Sequence, residues 1–205
     1  MKNSILVLLL LCSAMLAKAQ EFANVSPERA QVHSGDITKM SAIEKIEDTL
    51  VFLADSMYFS QLDDSRITGN EEFIKVFKRL LKLPNSYNAA LAKLKNKIVI
   101  MPSPDKLFKM YNWEIVRNNV ERRYYCVIQM EDGTVHPFID ISDQVIRGIE
   151  DSIFTNQRWF GTLYYNLIMK ESDAGKHYFL LGWNGNSLNS EKKIVDVLQF
   201  DTRGK

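Results

Sequence analysis

Residues 122–141, RRYYCVIQMEDGTVHPFIDI, constrain the chain more than any other stretch. Apolar and polar side chains alternate on both sides of Asp132-Gly133, a dipeptide that tolerates the positive φ of a two-residue type I′ turn. Such a turn pairs Met130 with Val135, Ile128 with Pro137 and Cys126 with Ile139. One face then gathers Tyr124, Cys126, Ile128, Met130, Val135, Pro137, Ile139 and Ile141. The other gathers Tyr125, Val127, Gln129, Glu131, Thr134, His136, Phe138 and Asp140. A slip of one residue would mix the two sets. In this register Pro137 falls in a non-hydrogen-bonded pair and has no N–H for a further strand, so residues 134–141 are expected at a sheet edge.

A second hairpin is expected over GTLYYNLIMKESDAGKHYFLLGW, residues 161–183, with a three-residue loop ending on Gly175. That loop pairs Glu171 with His177, Met169 with Phe179, Leu167 with Leu181 and Tyr165 with Trp183. Its strands are apolar on both sides and should lie centrally in a sheet. Lys193 to Asp201 reads as a last strand. Ile98–Met101 and Leu107–Val116 read as two earlier ones, and residues 142–158 are ambiguous, with Gln144 to Phe154 either a short helix or a strand.

Upstream the period is helical. Ile43, Ile46, Leu50, Leu53 and Met57 line one face of a helix from about Met40 to Ser60. A second helix is expected to start at Asn70, with Glu71 and Glu72 in its first turn and Phe73, Phe77 and Leu80 on its apolar side, and to stop at Leu83-Pro84. A short third helix is expected over Tyr87–Lys95. The fold class is therefore α+β, N-terminal helices followed by a mainly antiparallel sheet of about six strands. Residues 40–97 form the helical region and 98–205 the β region.

The first 19 residues are a signal for export. MKNSILVLLLLCSAMLAKAQ has a cationic start at Lys2, an apolar run and small residues at Ala17 and Ala19. The run from Ile5 to Ala17 is well short of the ~20 residues that span a bilayer. No later segment is apolar enough to be a transmembrane candidate. A lipid anchor at Cys12 is the alternative, but a lipobox needs a small residue before the cysteine and Leu11 stands there. The expected destination is the periplasm, the outer envelope or the exterior, with residues 20–39 an irregular leader. Cys126 is then the sole remaining thiol, so no internal disulfide is expected.

The signal carries Lys2 and Lys18 and no acid, so the formal net charge of +1 becomes −1 on cleavage. Bulk nucleic-acid binding is disfavoured. Charge is unevenly spread: −5 over residues 20–70, +7 over 71–123 and −3 over 124–205. Lys75, Lys78, Arg79 and Lys82 in the basic part fit the solvated side of a helix.

Residues 180–187, LLGWNGNS, draw attention as a possible ligand site, since an aromatic beside amides can hold a sugar. The hairpin register instead makes Leu180–Trp183 strand and Asn184–Glu191 a loop too long for a tight hairpin. Trp183, Asn184, Asn186 and His136 are the candidate ligand-binding residues. Catalytic and metal candidates are absent from the reading: Cys126 points inward, His136 and Asp140 lie four residues apart on one strand, about 13 Å, and His177 faces Glu171 beside a turn. No cofactor or metal spacing is present.

The exported start, the WFGTLYYNLIMKESDAGKHYFLLGWNGN hairpin and the KKIVDVLQFD strand together resemble a family of secreted bacterial proteins with no assigned activity. The resemblance covers roughly residues 98–205 and implies no catalytic residue. Proteins of that type run on with further strands, so this chain reads as a shortened or truncated form whose last strand leaves an apolar face exposed. The expected function is a non-enzymatic binding or envelope-associated module, with a glycan or another envelope protein as partner. A secreted hydrolase acting on envelope or extracellular polymers, using His136, Asp140 or His177, is the alternative. Expressed in a bacterial host, the mature protein should begin at Gln20 by N-terminal sequencing; an intact Met1 on exported material would overturn the signal assignment.

Overall fold

A computed structural model describes residues 41–118, 120–145, 148–150, 152–173, 175–187 and 189–200. The signal and leader expected over residues 1–39, and the end of the chain after Phe200, lie outside them. Among the described residues two helices come first, α1 (Ala42–Phe59) and α2 (Asp63–Leu81), then a 3₁₀ turn at Leu94–Asn96. Seven strands follow: β1 (Val99–Pro102), β2 (Phe108–Arg117), β3 (Glu121–Met130), β4 (Val135–Phe138), β5 (Leu163–Ser172), β6 (Gly175–Ser187) and β7 (Ser190–Leu198). They form two antiparallel sheets, ordered β1-β2-β3-β4 and β5-β6-β7. The α+β class holds, with two sheets where the sequence suggested one.

The four-stranded sheet is covered on both sides. Tyr111, Trp113 and Ile115 of β2 turn toward the helices and join Leu50, Met57, Phe73, Phe77 and Leu80 in one core. Phe108 and Met110 of β2, with Tyr124, Cys126, Ile128 and Met130 of β3, turn the other way and join Tyr164, Tyr178 and Leu180 of the second sheet in another. Period-two alternation sends neighbouring residues to opposite sides, so a strand with two apolar sides supplies both cores. Aromatic rings fill the helix side: Phe73 lies 5.2 Å and Phe77 5.8 Å from Trp113, and Tyr125 stacks on Trp113 at 5.4 Å.

The helices differ from expectation at two places. The spacing of α1 is as expected, but α2 begins at Asp63, a full two turns before Asn70. Asn70 is 2 % exposed, and its Oδ1 accepts the Trp113 indole N–H at 2.9 Å. A good cap residue thus serves tertiary structure, because a buried indole needs an acceptor. The helix expected over Tyr87–Lys95 is only the 3₁₀ turn. Leu91 has φ +46, which breaks an α-helix, and the buried Glu47 carboxylate of α1 accepts the N–H groups of Lys93 (2.8 Å) and Leu94 (3.0 Å) instead.

Both hairpin registers are shifted by one residue. The β3–β4 turn is closed by the Met130 N–H on the Thr134 carbonyl at 2.8 Å, leaving a three-residue loop, and Cys126 pairs with Phe138, not Ile139. Only Gly133 takes positive φ, +90°; Asp132 keeps ordinary backbone and its Oδ1 accepts the Thr134 N–H at 2.8 Å. That local bond competes with the type I′ conformation, which needs positive φ at Asp132 too. The slip turns Phe138 inward to Trp159, centroids 5.7 Å apart, and leaves Val135 and Ile139 open to solvent. The edge at Pro137 survives: β4 is last in its sheet, and beyond it Ile139 and Ile141 bond to the irregular segment at Asn156 and Trp159.

In the second hairpin Ser172 pairs with Gly175, so two residues separate the strands rather than three, and a bulge between Tyr164 and Asn166 shifts the register again. Met169 therefore opposes Tyr178, Leu167 opposes Leu180, and His177 opposes Lys170 rather than Glu171. β7 starts at Ser190, so the stretch expected as a long loop is a tight turn between Ser187 and Ser190. β6 is central in its sheet as expected, but the outward side of that sheet is open. Tyr165, Ile168, Val195 and Val197 are 57, 41, 65 and 52 % exposed.

Two polar side chains tie the sheets together. Asn112, fully buried, donates to the carbonyls of Tyr125 (2.8 Å) and Thr162 (3.1 Å) and accepts the Tyr164 N–H. The Asp140 carboxylate accepts the N–H groups of Tyr124 (3.0 Å), Ser142 (2.8 Å) and Gly161 (3.2 Å). A Cβ on Gly161 would lie 2.3 Å from Asp140 Oδ1. Gly161→Ala must displace that carboxylate from its donors, and should cost about 2–3 kcal/mol in urea unfolding. A loss below about 0.5 kcal/mol, the scale of an ordinary surface change, would show that Asp140 does not organise this junction.

Candidate functional site

The end of β6 meets the end of the first sheet around one stacked pair. Arg122 of β3 lies over the half-buried Trp183 ring, 4.8 Å from guanidinium carbon to centroid. Such a contact is worth ~0.5–1 kcal/mol at a partly exposed site. The indole N–H donates to Glu191 Oε2 at 2.7 Å across the β6–β7 turn. Arg122 also pairs with Glu114 of β2. Gly185 donates its N–H to the Tyr124 hydroxyl at 2.7 Å, and a Cβ there would meet the Arg122 side chain at 2.6 Å. The glycine is what lets β6 come this close to Arg122.

Glu114 is the carboxyl of the group that burial perturbs. Burial raises it above the usual range, and the charge and hydrogen bond of Arg122 only partly offset this. Its Oε2 is buried without a hydrogen-bond partner among the described residues. It lines a cleft of about 290 Å³ with Met57, Tyr58, Arg66 and Val116, where β2 runs past the short β1 and meets the helices. Burial, then the Glu114 charge, pushes the Tyr58 phenol far up, so it stays neutral. A second groove of about 380 Å³ runs between α1 and α2, lined by Leu53, Ser56, Asp64, Ser65, Thr68, Gly69 and Glu72.

The four residues named from the sequence are not one constellation. Trp183 sits in the site just described. Asn184 is buried, its amide nitrogen bonded to the Gly161 carbonyl and its oxygen to the Asn186 N–H at 2.7 Å, so it holds the turn. Asn186 is exposed with φ +37 and donates to Ser190 Oγ at 2.7 Å. His136 is in β4 opposite Ile128, six residues along β3 from Arg122 and so about 20 Å away. His177 Nδ1 lies 3.1 Å from the Gly175 carbonyl. Cys126 is buried and its thiol is pushed up by desolvation, the reverse of an activated nucleophile.

Other carboxylates are structural. Asp63 is bonded by Arg66 and accepts the Asn118 N–H at 2.7 Å, and Glu72 pairs with Lys75. Lys75, Lys78, Arg79 and Lys82 are exposed on α2, the solvated face expected. Among the described residues no three His, Cys, Asp or Glu side chains gather in a metal-binding group, and no helix is long and apolar enough to cross a membrane. No family model, curated protein or solved structure matches the chain.

The contributions of Arg122, Glu114 and Tyr124 were not legible, because they depend on which sheet β6 packs against. Glu114 supplies a test. Its folded value is raised, so between the unfolded value of 4.5 and the raised one the folded state binds the extra proton, and stability falls as pH rises. The stability of the parent protein relative to Glu114→Gln should therefore decline over that window in chemical denaturation. A difference that stays flat or grows with pH would contradict the raised carboxyl.

Proposed function

We propose that the protein is an exported, non-enzymatic binding module of the bacterial cell envelope, and that it uses the outward side of the three-stranded sheet with Trp183 at its end. The observation that carries this reading is the row of apolar and aromatic side chains open to water on that side: Tyr165, Ile168, Val195 and Val197. Phe179 and Leu181, half-buried, fill the middle strand between them, since Ile168 pairs with Phe179 and Phe179 with Val197. A contiguous exposed apolar side of this kind marks an interaction surface more often than an unused one.

Its chemistry favours a saccharide. Leu163 is the register partner of Trp183, and Tyr165 projects from the bulge two residues on. Two aromatics on one side of a twisted sheet offer apolar faces to a sugar ring, while Glu191, Lys193 and Asn166 nearby offer hydrogen bonds to its hydroxyls. The signal-like start, from Lys2 to Ala19, supports placement where envelope glycans are found. A hydrolase has less to rest on, since neither described histidine has a carboxylate within hydrogen-bond reach.

A glycan-binding screen of the mature chain should return a saccharide whose affinity drops about tenfold or more in Trp183→Ala, the loss of one stacked aromatic. Turnover of that saccharide, or equal binding by the variant, would reject the proposal.

A further inference from the structure

The open strand β7 closes the second sheet on one side, and no described strand pairs with its free edge. Nine residues of unpaired edge are a template for another strand, which proteins usually block with charge. β7 carries such charges: the outward Glu191 and Lys193, and Lys192 and Asp196 on the inward side. Their spacing, however, makes them complementary to their own copy in one register.

Opposite residues of an antiparallel pair lie on the same side of a sheet. Registers that keep the apolar sides of two copies together therefore differ by steps of two residues. Centred on Ile194, the pairing sets Lys192 of one copy opposite Asp196 of the other, twice, with Ile194 against Ile194 between them. On the outward side Val195 of each copy meets Lys193 of the other, whose methylenes cover it. Moving two residues either way sets Lys192 against Ile194 or Leu198, and Asp196 against Ser190 or Ile194. A buried or half-buried charge then faces an apolar partner or a lone hydroxyl. Asp196 gains most from the first register. Burial raises its carboxyl, and the hydrogen bond it accepts from Tyr164 is set against that burial. Lys192, whose ammonium lies 5.1 Å from the Phe160 ring, has no carboxylate bonded to it among the described residues of its own chain.

We propose that β7 pairs antiparallel with β7 of a second copy of this chain about a twofold axis at Ile194, giving a continuous six-stranded sheet. The joined sheet doubles the apolar side that carries Trp183 and Tyr165. Charges that repel other strands select this one, so the edge is specific where a plain apolar edge would aggregate. The dimer stands apart from the saccharide reading: either can fail alone, because sedimentation reports the first and the glycan screen the second.

The mature chain should sediment as a concentration-dependent dimer. Ile194→Cys, treated with a mild oxidant, should give a reducible covalent dimer, because residue 194 faces itself; Val197→Cys, which faces Glu191 of the other copy, should not. Lys192→Glu, at a half-buried position, should weaken the dimer about tenfold by turning two attractive cross-strand pairs repulsive. The circular dichroism of each variant checks its fold, and Lys192→Glu keeps the test alive should Ile194→Cys misfold. A monomer at every concentration, a dimer indifferent to Lys192→Glu, or cross-linking through residue 197 in place of 194 would overturn the proposal.

Discussion

The four-stranded sheet is apolar on both sides, and the rest of the molecule is arranged to cover it. β2 shows the constraint most clearly: Tyr111, Trp113 and Ile115 need one cover, Phe108 and Met110 another. Each large buried side chain contributes about 1.5–3 kcal/mol only if water is excluded from it. The helices exclude it on one side and β5–β7 on the other. The second sheet, as a cover, has an inward side that must be apolar and an outward side with no cover of its own among the described residues. The surface assigned to binding is a consequence of that layering.

Burying two sides of a sheet leaves few routes for polar groups to reach water, so those inside are satisfied in chains. Gln129 links the Tyr111 hydroxyl (3.1 Å), the Ser86 hydroxyl (2.9 Å) and the Leu81 carbonyl (3.2 Å), which docks the end of α2 onto β2 and β3. Trp159 donates to the Tyr164 hydroxyl at 2.9 Å, and Tyr164 passes the hydrogen bond on to Asp196. Asp105 accepts from Lys176 and Tyr178, both at 2.8 Å; desolvation pushes its carboxyl up, but these bonds with those from Ser103 and Leu107 outweigh it and hold the group well below the usual range. An unpaired buried polar group costs ~1–3 kcal/mol, so each chain specifies one packing of the layers.

Periodicity alone gave most of the element types, though not the 3₁₀ turn in place of a helix at Tyr87–Lys95 or the first two turns of α2: α1 by its spacing of three and four, the strands by alternation, the edge at Pro137 by its missing N–H. The registers shift because each loop differs by one residue from the one its local residues suggest, three at Asp132-Gly133 in place of two and two before Gly175 in place of three. At Asp132 an aspartate side chain bonding forward to Thr134 changed the loop by one residue, and every side chain of β4 turned over. In β5 the two-residue loop before Gly175 makes the same change, and a bulge at Tyr165 shifts the register once more. Asn70 misled for a related reason: the rule for caps is local, while its partner Trp113 is 43 residues away. Trp183 stood out as an aromatic between glycines, but Arg122 and Glu114 carry no local mark that ties them to it.

What the amino-acid order determined by itself is what depends on near neighbours: the helical and extended periods, the burial of Cys126, the cationic and apolar start, and the scarcity of histidine near acid. Only the tertiary structure decided which apolar side of each strand was covered, where Glu114 lost its water, and that β6 brought Trp183 to Arg122. Hydrophobic burial has no direction of its own, so a strand with two greasy sides accepts either cover until the layers have packed.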